Sequence, residues 1–485
     1  MHIHVIAVAG SGMGSLAGLL RELGHEVSGS DVRFDPPMGP ALGRWGVRTM
    51  TGFAPEHLEP APDLVVVGNV CRKDNPEVVR ALELGLPLTH IAGALQRFVF
   101  GEASPLVVAG THGKTTTSTL CAYLLDKAGF APGFLIGGIP RDLPSSFRKP
   151  RASGPRNLLH APNLRRNPPF VIEGDEYDTA YFEKTAKFLH YGAEVAILSS
   201  IEYDHVDIYP SFEDYVAAFR RFVRQIPEHG LIVANAADPK VVEVVEEGAR
   251  TEVAYYALEG EPTHGVAPHW LAAPAESGPT GTSFDVFAGG AKCGRFAISL
   301  SGQHNVANAV AALAACAQGY GAPLASLVRP LAEFSGVKRR QELVGTPRGI
   351  RIYDDFAHHP TAVSKTLAGL RRRHPQGKLL ALFEARSATA CRKLHQDDYV
   401  SAFAAADIVL LAPLGRDGLG ADERLDTHKL ALDLVARGKH AQAFTDLEAL
   451  VQTTKQYATE GDVVAVLSNG AFGGMQERLV AALGS

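Results

Sequence analysis

Residues 106–120 read LVVAGTHGKTTTSTL, and the rest of the chain is best interpreted from this stretch. The apolar run Leu106–Ala109 predicts a buried parallel strand, and a helix is expected to begin at Lys114. A strand, a glycine-containing loop and a helix in this order form a phosphate cradle. Loop N–H groups face the anion, the lysine reaches the outer phosphates and a hydroxyl ligates Mg²⁺. The usual loop has a further glycine five residues before Gly113, where this chain has Val108. We therefore predict a nucleoside triphosphate site on a short loop, GTHGKTT; a tight turn that merely contains Gly-Lys-Thr is the alternative.

The bulk composition indicates a globular protein of several domains. A chain of 485 residues, 46% hydrophobic and 20% charged, predicts roughly two to four domains. A net charge of −5 argues against a nucleic-acid partner. The N-terminal residues lack a signal-peptide pattern, and no apolar run approaches the roughly 20 residues that span a bilayer. We therefore expect a cytoplasmic protein without a membrane partner. The five cysteines are scattered without a CxxC pair, which indicates reduced thiols and argues against a zinc site: Cys71, Cys121, Cys293, Cys316 and Cys391.

The N-terminal residues predict a βαβ unit. An apolar strand over 3–8 is followed by a glycine-rich turn at 10–14, a helix, and a second strand that ends at Asp31. A glycine turn with an acidic residue about 20 positions later is typical of dinucleotide-binding folds. The turn predicts a site for a nucleotide diphosphate, and a plain helix-start turn is the alternative.

Two acidic clusters follow predicted strands of the second α/β unit. The strand 170–172 leads into Glu173 of FVIEGDEYD, and the strand 196–198 leads into SSIEYDHVDIY, which contains His205. Ligands of open α/β sheets lie beyond the carboxyl ends of strands, so we expect both clusters beside the phosphate loop. Thr115 and Glu173 offer oxygen ligands for Mg²⁺, and a neutral His205 offers a ligand for a second cation. The alternatives are a helix cap or surface carboxylate for Glu173 and a structural histidine for His205.

The remainder of the second unit is less regular. Residues 140–169 are rich in Pro, Arg and Ser and predict an exposed, solvated insertion. The alternative is that its basic charge attracts an anionic substrate. Residues 230–300 alternate apolar and polar and predict β-rich structure. Asn305 and Asn308 are three residues apart, so they share one face of the Ala-rich helix that follows Gly302.

A third α/β unit begins near residue 336, and polar residues follow three of its predicted strands. The sequence YDDFAHHPT at 353–361 follows the first, Arg386 follows the second, and Ser468 and Phe472 follow the last. These positions share one edge of a parallel sheet, where one substrate can touch them together. The adjacent histidines of YDDFAHHPT indicate a polar cleft more than a metal site, because neighbouring residues seldom chelate one ion. The predicted strands are 350–353, 379–383, 408–411 and 463–467.

Six motifs, in order and spacing, resemble those of the Mur ligase family over essentially the whole chain. Residues 175–191 and the segment SNGAFGG at 468–474 look most like the branch of the family that adds a murein tripeptide. The branch that adds L-alanine typically has a serine at the position of Tyr177. Several other branches carry a carbamylated lysine after the histidine, and this chain has no lysine between Lys187 and Lys240. The six motifs are GTHGKTT (110–116), EGDEYD (173–178), DHVDIY (204–209), GQHNVANAVAA (302–312), RRQE (339–342) and DDFAHHPT (354–361).

The resemblance implies an α/β protein of three domains. These are a Rossmann-like UDP-sugar-binding domain (1–104), a P-loop ATPase-like central domain (105–335) and a Rossmann-like C-terminal domain (336–485) that binds the acceptor and closes on ATP. The implied UDP-sugar contacts are Ser11, Gly12, Met13, Gly14 and Asp31. The implied ATP contacts are Gly110, Thr111, His112, Gly113, Lys114, Thr115, Thr116, Asn305, Asn308, Arg340 and Asp355. The implied catalytic residues are Lys114, Glu173 and His205, with two Mg²⁺ ions on Thr115, Glu173 and His205. The implied acceptor contacts are His358, Arg386, Ser468 and Phe472.

The resemblance also implies the chemistry. ATP would phosphorylate the carboxylate of UDP-N-acetylmuramate, and the amine of the tripeptide L-Ala-γ-D-Glu-meso-diaminopimelate would then displace phosphate, in the recycling of peptidoglycan. An L-alanine acceptor is the first alternative. A Rossmann-type oxidoreductase or a non-catalytic nucleotide-binding protein is a remote one, because it leaves Lys114 and Glu173 without a role. The sequence leaves open whether the protein is a monomer or a dimer, and whether longer peptides are accepted.

Overall fold

A computed structural model describes residues 1–35, 38–151, 167–278, 280–416, 418–420 and 422–484. Within these residues the chain forms three large sheets, of five, ten and six strands, and a separate two-stranded hairpin. The predicted α/β class with three units is confirmed. The domain limits at 104 and 335 stay predictions. None of the helices in the described part of the chain combines the length and the apolarity needed to cross a lipid bilayer.

The N-terminal unit is a five-stranded parallel sheet in the order β3-β2-β1-β4-β5. The third helix begins at Pro76, since the Asn75 side chain accepts the N–H of Glu77 at 3.0 Å and proline suits the first helical position. Its elements are β1 (His2–Ile6), α1 (Ser11–Glu22), β2 (Glu26–Asp31), α2 (Met38–Arg44), β3 (Arg48–Thr51), β4 (Leu64–Val67), α3 (Pro76–Glu83), β5 (Leu88–Thr89) and α4 (Ile91–Leu95).

The central unit is a ten-stranded mixed sheet in the order β17-β16-β15-β14-β13-β12-β6-β9-β7-β8, with β10 and β11 forming the hairpin. Its elements are β6 (Ser104–Ala109), α5 (Lys114–Lys127), β7 (Gly133–Leu135), β8 (Phe147–Arg148), β9 (Pro169–Gly174), β10 (Asp178–Ala180), β11 (Glu183–Ala186), β12 (Val195–Leu198), α6 (Phe212–Gln225), β13 (Leu231–Asn235), α7 (Pro239–Gly248), β14 (Glu252–Leu258), β15 (Trp270–Gly278), β16 (Gly281–Ala288), β17 (Ala291–Ile298), α8 (Gln303–Ala314) and α9 (Leu324–Glu333).

Strand β6 lies in the middle of this sheet, and both of its faces are buried. Leu106 and Val108 point into one apolar core, whereas Val107 and Ala109 point into the other, and all four are fully buried. Burial on both faces explains why the strand appears in the sequence as a continuous apolar run.

The β-rich structure predicted for residues 230–300 is confirmed by strands β13 to β17, and helix α7 lies between β13 and β14, where the Asp238 side chain accepts the N–H groups of Lys240 and Val241. The prediction of an exposed insertion needs correction. Residues 140–151 of the predicted exposed insertion are partly buried. Phe147 is 7% exposed and packs edge-on against Trp45 of the N-terminal unit. The predicted insertion also includes residues 152–166, which lie outside the described part of the chain.

The C-terminal unit is a six-stranded sheet in the order β18-β19-β23-β20-β21-β22, parallel except at β18. The strands expected at 379–383, 408–411 and 463–467 have those bounds, and the strand expected at 350–353 runs from Arg351 to Asp355. Its elements are β18 (Glu342–Gly345), β19 (Arg351–Asp355), α10 (Pro360–Arg373), β20 (Leu379–Phe383), α11 (Gln396–Ala402), β21 (Ile408–Leu411), α12 (Thr427–Ala436), β22 (His440–Ala443), α13 (Leu447–Tyr457), β23 (Val463–Leu467) and α14 (Met475–Gly484).

Candidate active site

The phosphate loop lies between β6 and α5, at the edge of the sheet where β12, β6 and β9 all end. Gly110 and Gly113 have φ values of 130° and 81°, which favour glycine. A Cβ on Gly110 would lie 2.3 Å from the Ser199 hydroxyl, and a Cβ on Gly113 would lie 2.7 Å from the Asn308 side chain. Glycine is therefore required at both positions by conformation and by space.

The loop lysine is held by a buried carboxylate. Lys114 Nζ donates to the Glu176 oxygens at 2.8 and 2.9 Å and to the Gly110 carbonyl at 2.7 Å. Burial lowers the pKa of Lys114, but the charges of Glu176 and Asp175 outweigh it and raise that pKa above its ordinary value. The lysine is therefore a fixed cation at the mouth of the loop.

Glu176 joins the lysine to the predicted catalytic histidine. Its side chain is 1% exposed, and it also accepts a hydrogen bond from His205 Nε2 at 3.0 Å. Burial disfavours the charged form of Glu176, yet Lys114 and His205 together lower its pKa. Burial lowers the pKa of His205, but the hydrogen bond that His205 donates to Glu176 and the charge of that carboxylate outweigh burial and raise the pKa. Glu176 is not among the site residues predicted from the sequence. The quoted motif EGDEYD contains it, but a motif of four acids does not tell which one turns toward the loop.

Thr115 and Glu173, the predicted Mg²⁺ ligands, are neighbours. Thr115 Oγ1 donates to Glu173 Oε2 at 2.9 Å, and the Gly137 N–H donates to the other carboxylate oxygen at 2.6 Å. Burial raises the pKa of Glu173, with the charge of Asp175 adding to it. Arg340 Nη2 donates to the same Thr115 hydroxyl at 3.3 Å. A buried hydroxyl and carboxylate beside a phosphate loop are hard oxygen donors that fit Mg²⁺.

His205 fits a cation less completely in this arrangement. Its backbone has a φ of 55°, and its Nε2 is committed to Glu176. A cation at His205 would therefore take Glu176 as a second ligand and displace the imidazole proton. Two ions, one on Thr115 and Glu173 and one on His205, stay a prediction.

A cavity of about 610 Å³ lies between the central unit and the C-terminal unit. This volume falls within the range of small-molecule sites. Predicted ATP contacts on both units line it, whereas Gly110, Thr111, Lys114 and Thr115 are not among its lining residues. The predicted contacts that line it are His112, Gly113, Thr116, Asn305, Asn308, Arg340 and Asp355.

Further lining residues were not recognised in the sequence. Lys365 and Arg372 on α10 join Arg340 in supplying basic groups to a lining that also contains acidic side chains, and such groups can pair with the phosphates of a nucleotide. Burial and then the charges of Lys365 and Arg372 lower the pKa of His304, on α8, to about 3. The basic face of α10 is the signal that the sequence offered. Asn235, Lys240 and Tyr256 also line the cavity.

The predicted acceptor residues follow β19, β20 and β23, and of the four only His358 and Arg386 are partly exposed, since Ser468 and Phe472 are fully buried. The Ser468 hydroxyl donates to Glu384 at 2.5 Å, Arg386 is 44% exposed beside them, and His358 Nε2 lies 4.0 Å from Asp204 Oδ2. Phe472 is fully buried in the apolar core under β23, so its side chain cannot contact an acceptor here, contrary to expectation.

The predicted UDP-sugar contacts surround the start of α1. Ser11 is exposed and Gly12 half-buried, whereas the Met13 side chain belongs to the apolar core and Gly14 packs against Met38. Asp31 accepts the N–H of Ala9 at 2.9 Å and of Val32 at 2.7 Å. Only the backbone of Met13 is therefore available to a ligand. Asp31 stabilises the glycine-rich turn before α1 through its hydrogen bond with Ala9.

Family comparison accounts for nearly the whole chain and confirms the resemblance. "Mur ligase family, catalytic domain" matches residues 2–101, "Mur ligase middle domain" matches 108–316, and "Mur ligase, glutamate ligase domain" matches 339–470. The fold and the site thus define an amide-forming ligase, and the chain belongs to the Mur ligase family.

Within that family, similarity extends over full length to particular ligases. The chain is 34% identical over 482 residues to the UDP-N-acetylmuramate--L-alanyl-gamma-D-glutamyl-meso-2,6-diaminoheptandioate ligase of Escherichia coli (strain K12), covering 99% of this chain and 98% of that one. A crystal structure of a murein peptide ligase from Psychrobacter arcticus 273-4 matches with a TM-score of 0.72 at 33% identity, over 100% of this chain and 99% of that one. A UDP-N-acetylmuramate--L-alanine ligase of Roseiflexus castenholzii is 32% identical over 501 residues, covering 100% and 98%.

Proposed function

We propose that the protein joins UDP-N-acetylmuramate to the tripeptide L-alanyl-γ-D-glutamyl-meso-diaminopimelate, using ATP and releasing ADP and phosphate. The observation that carries this proposal is the cavity between the two sheet units, which is lined by His112 and Gly113 of the phosphate loop on one side and by basic residues of the C-terminal unit on the other. A nucleotide bound there has its outer phosphates between an activating loop and an acceptor site. The proposed place of action is the cytoplasm, where ATP is available.

In the first step the muramoyl carboxylate attacks the γ-phosphorus of ATP. The new O–P bond forms as the bond to ADP breaks, which leaves an acyl phosphate. Lys114 and Arg340 supply positive charge where the transferring group passes. Phosphate must replace Glu176 as the partner of Lys114, since the Glu176 carboxylate is paired with the Lys114 ammonium in this structure.

Mg²⁺ held by Thr115 and Glu173 would neutralise charge on the phosphate oxygens. This role fits the two residues, because their oxygen atoms lie 2.9 Å apart at the start of α5. Glu173 is kept in place by the Gly137 N–H, independently of any ligand.

In the second step the amine nitrogen of the peptide attacks the acyl carbon. The C–N bond forms, phosphate leaves with the electrons of the C–O bond, and the nitrogen gives up its proton. At the strand ends of the C-terminal unit Ser468 donates to the buried Glu384, and the exposed Arg386 guanidinium lies beside them. The guanidinium can pair with one of the several carboxylates of the tripeptide, whereas L-alanine carries a single carboxylate.

Addition of L-alanine is the second candidate, favoured by the full-length similarity to the Roseiflexus castenholzii ligase. Purified protein incubated with UDP-N-acetylmuramate, ATP and Mg²⁺ separates the two. We expect ADP release with the tripeptide and little with L-alanine. The reverse preference would contradict the proposed acceptor, and no ADP with either would contradict the ligase reaction.

Lys114→Ala is the matched control for that assay. We expect it to abolish ADP release. Loss of the buried pair with Glu176 lowers the stability of the variant, so the assay is run at a temperature at which circular dichroism shows that the variant is folded. Residual turnover above about 10% would place the phosphate-binding charge elsewhere.

A further inference from the structure

Three potential metal ligands from distant parts of the chain converge beside the ATP cavity. His112 Nε2 lies 3.2 Å from Glu202 Oε2, and His359 Nδ1 lies 3.4 Å from the same oxygen. All three ligand atoms lie within 4.8 Å of one another. His112 belongs to the phosphate loop, Glu202 follows β12, and His359 caps the N-terminus of α10. The group therefore spans the central and the C-terminal units.

Glu202 is held in place from both units. Its backbone N–H donates to Thr111 Oγ1 at 2.9 Å, and its carboxylate accepts the hydroxyl of Thr361 at 2.6 Å. The carboxylate that faces the two imidazoles is therefore oriented by residues other than the two histidines.

The histidine from the C-terminal unit is buried and incompletely paired. His359 is 7% exposed, and its Nε2 has no hydrogen-bond partner among the described residues. His395 packs against it with ring centroids 4.6 Å apart, and the Nε2 of that residue is likewise without a partner in the described part of the chain. The His359 Nδ1 accepts the backbone N–H of Thr361 at 3.4 Å, so Nδ1 carries a lone pair and the proton is on Nε2. That Nδ1 lies 3.4 Å from Glu202 Oε2, and two acceptors at this distance repel each other unless a cation lies between them.

We propose that these three residues bind a divalent transition-metal cation of the zinc class. Two imidazole nitrogens and one carboxylate oxygen form a ligand set that zinc accepts, with a water as the fourth ligand. Bonds of 2.0–2.1 Å in a tetrahedron place ligand atoms about 3.3 Å apart, close to the two distances from Glu202. Mg²⁺ prefers oxygen ligands, so the imidazoles distinguish this site from Thr115 and Glu173. The scattered cysteines argued against a zinc site, but none of these ligands is a cysteine.

A metal bound there fastens the C-terminal unit to the phosphate loop. His112 is a wall of the ATP cavity, and His359 is the first residue before α10, whose basic face forms the opposite wall. Zinc therefore holds the cavity closed and acts as an inhibitor of nucleotide exchange.

Binding is tested on the metal-free full-length protein in excess Mg²⁺. Zn²⁺ is titrated by calorimetry, and Co²⁺ is followed by its visible absorption, which is intense when the ion is four-coordinate. We expect one equivalent per chain. His359→Gln and Glu202→Gln should each weaken Zn²⁺ binding by more than about 100-fold, because even the loss of an outer partner weakens metal sites 10–100-fold.

Two variants serve as matched controls, and circular dichroism shows that each variant is folded. His358→Gln alters the adjacent histidine, which faces Asp204 instead, and Glu173→Gln alters the proposed Mg²⁺ site. Both should bind Zn²⁺ as the wild type does. Wild-type affinity in folded His359→Gln, or an equal loss in His358→Gln, would overturn the proposal.

Hydrogen exchange tests the closure directly. Zn²⁺ should slow amide exchange in α10 at least about tenfold in the wild type and leave His359→Gln unchanged. Unaltered exchange in a wild-type protein with Zn²⁺ bound would overturn the fastening of the two units. Neither readout requires ligase activity, so the outcome is independent of the proposed function.

Discussion

Glu176→Gln is the substitution that tests the charge arrangement at the phosphate loop. The carboxylate is 1% exposed and lies 2.8 Å from Lys114 Nζ, which is itself 12% exposed. At an effective dielectric constant of about 20, Coulomb attraction at this distance amounts to about 6 kcal/mol. Measured losses on removal of one partner from a buried pair are about 3–5 kcal/mol, since the other charge stays buried. We expect the free energy of unfolding of the central unit to fall by that amount.

Differential scanning calorimetry without ligand measures this loss. One kcal/mol corresponds to about 2–4 °C for a unit of this size, so the transition of the central unit should move down by about 6–20 °C. Glu213→Gln is the matched control. It removes the same charge from an ion pair with Arg220, but Glu213 is 69% exposed, and exposed pairs contribute about 0–1 kcal/mol.

Mg·ATP should reduce the difference between wild type and Glu176→Gln. In the wild type the phosphates must displace Glu176 from Lys114, whereas in the variant the lysine is already without a charged partner. The nucleotide should therefore stabilise the variant more than the wild type. If Glu176→Gln unfolds within about 1 °C of the wild type, or if Mg·ATP stabilises both equally, the reasoning about the buried pair is wrong.

Three further predictions concern separate parts of the molecule. Thr115→Val removes a proposed Mg²⁺ ligand at nearly constant shape, so ADP release should fall at least about 100-fold with little loss of stability. Thr115→Ser should retain activity. Equal rates of ADP release in the two variants would exclude the hydroxyl as a ligand. Gly18→Ala places a Cβ 2.3 Å from the Phe147 ring and should lower the free energy of unfolding, measured by urea denaturation, by about 1–3 kcal/mol. The control Gly43→Ala, whose Cβ would have no atom within 4 Å, should be neutral or slightly stabilising. Equal effects of the two substitutions would contradict the packing of Gly18 against Phe147. His304 has a folded-state pKa of about 3, so the unfolded state binds more protons below pH 6.5. The free energy of unfolding should therefore fall as the pH drops from about 6.5 to about 3, by at most about 1.4 kcal/mol per pH unit. In His304→Gln the free energy of unfolding should depend less steeply on pH, and an unchanged slope would refute the lowered pKa of His304.

Local patterns predicted the elements that carry the site. The strand before Gly110 and the helix from Lys114 follow from an apolar run and a glycine loop, and both are present. Helix α3 follows from Asn75 and Pro76, whose cap depends on neighbouring atoms alone. Because parallel strands align their carboxyl ends, the meeting of Glu173 with the phosphate loop was also predictable.

Contacts between side chains were not predictable in the same way. The EGDEYD motif offers four acids, and the turn after β9 brings Glu176, of the four, to Lys114. Phe472 follows a strand as a ligand-binding residue does, yet packing under β23 buries it completely. Phe147 belongs to the insertion that was predicted to be exposed, yet its ring packs against Trp45 of the N-terminal unit.

The amino-acid sequence by itself determined the three α/β units, the phosphate loop and the membership of the Mur ligase family, because backbone propensity, periodicity and motif spacing are local properties. Tertiary structure alone decided that Glu176 pairs with Lys114 and that His112, Glu202 and His359 converge. The physical reason is that these residues lie on separate segments. Their distances depend on strand order and on how the C-terminal sheet packs against the central one, and no window of sequence contains that information.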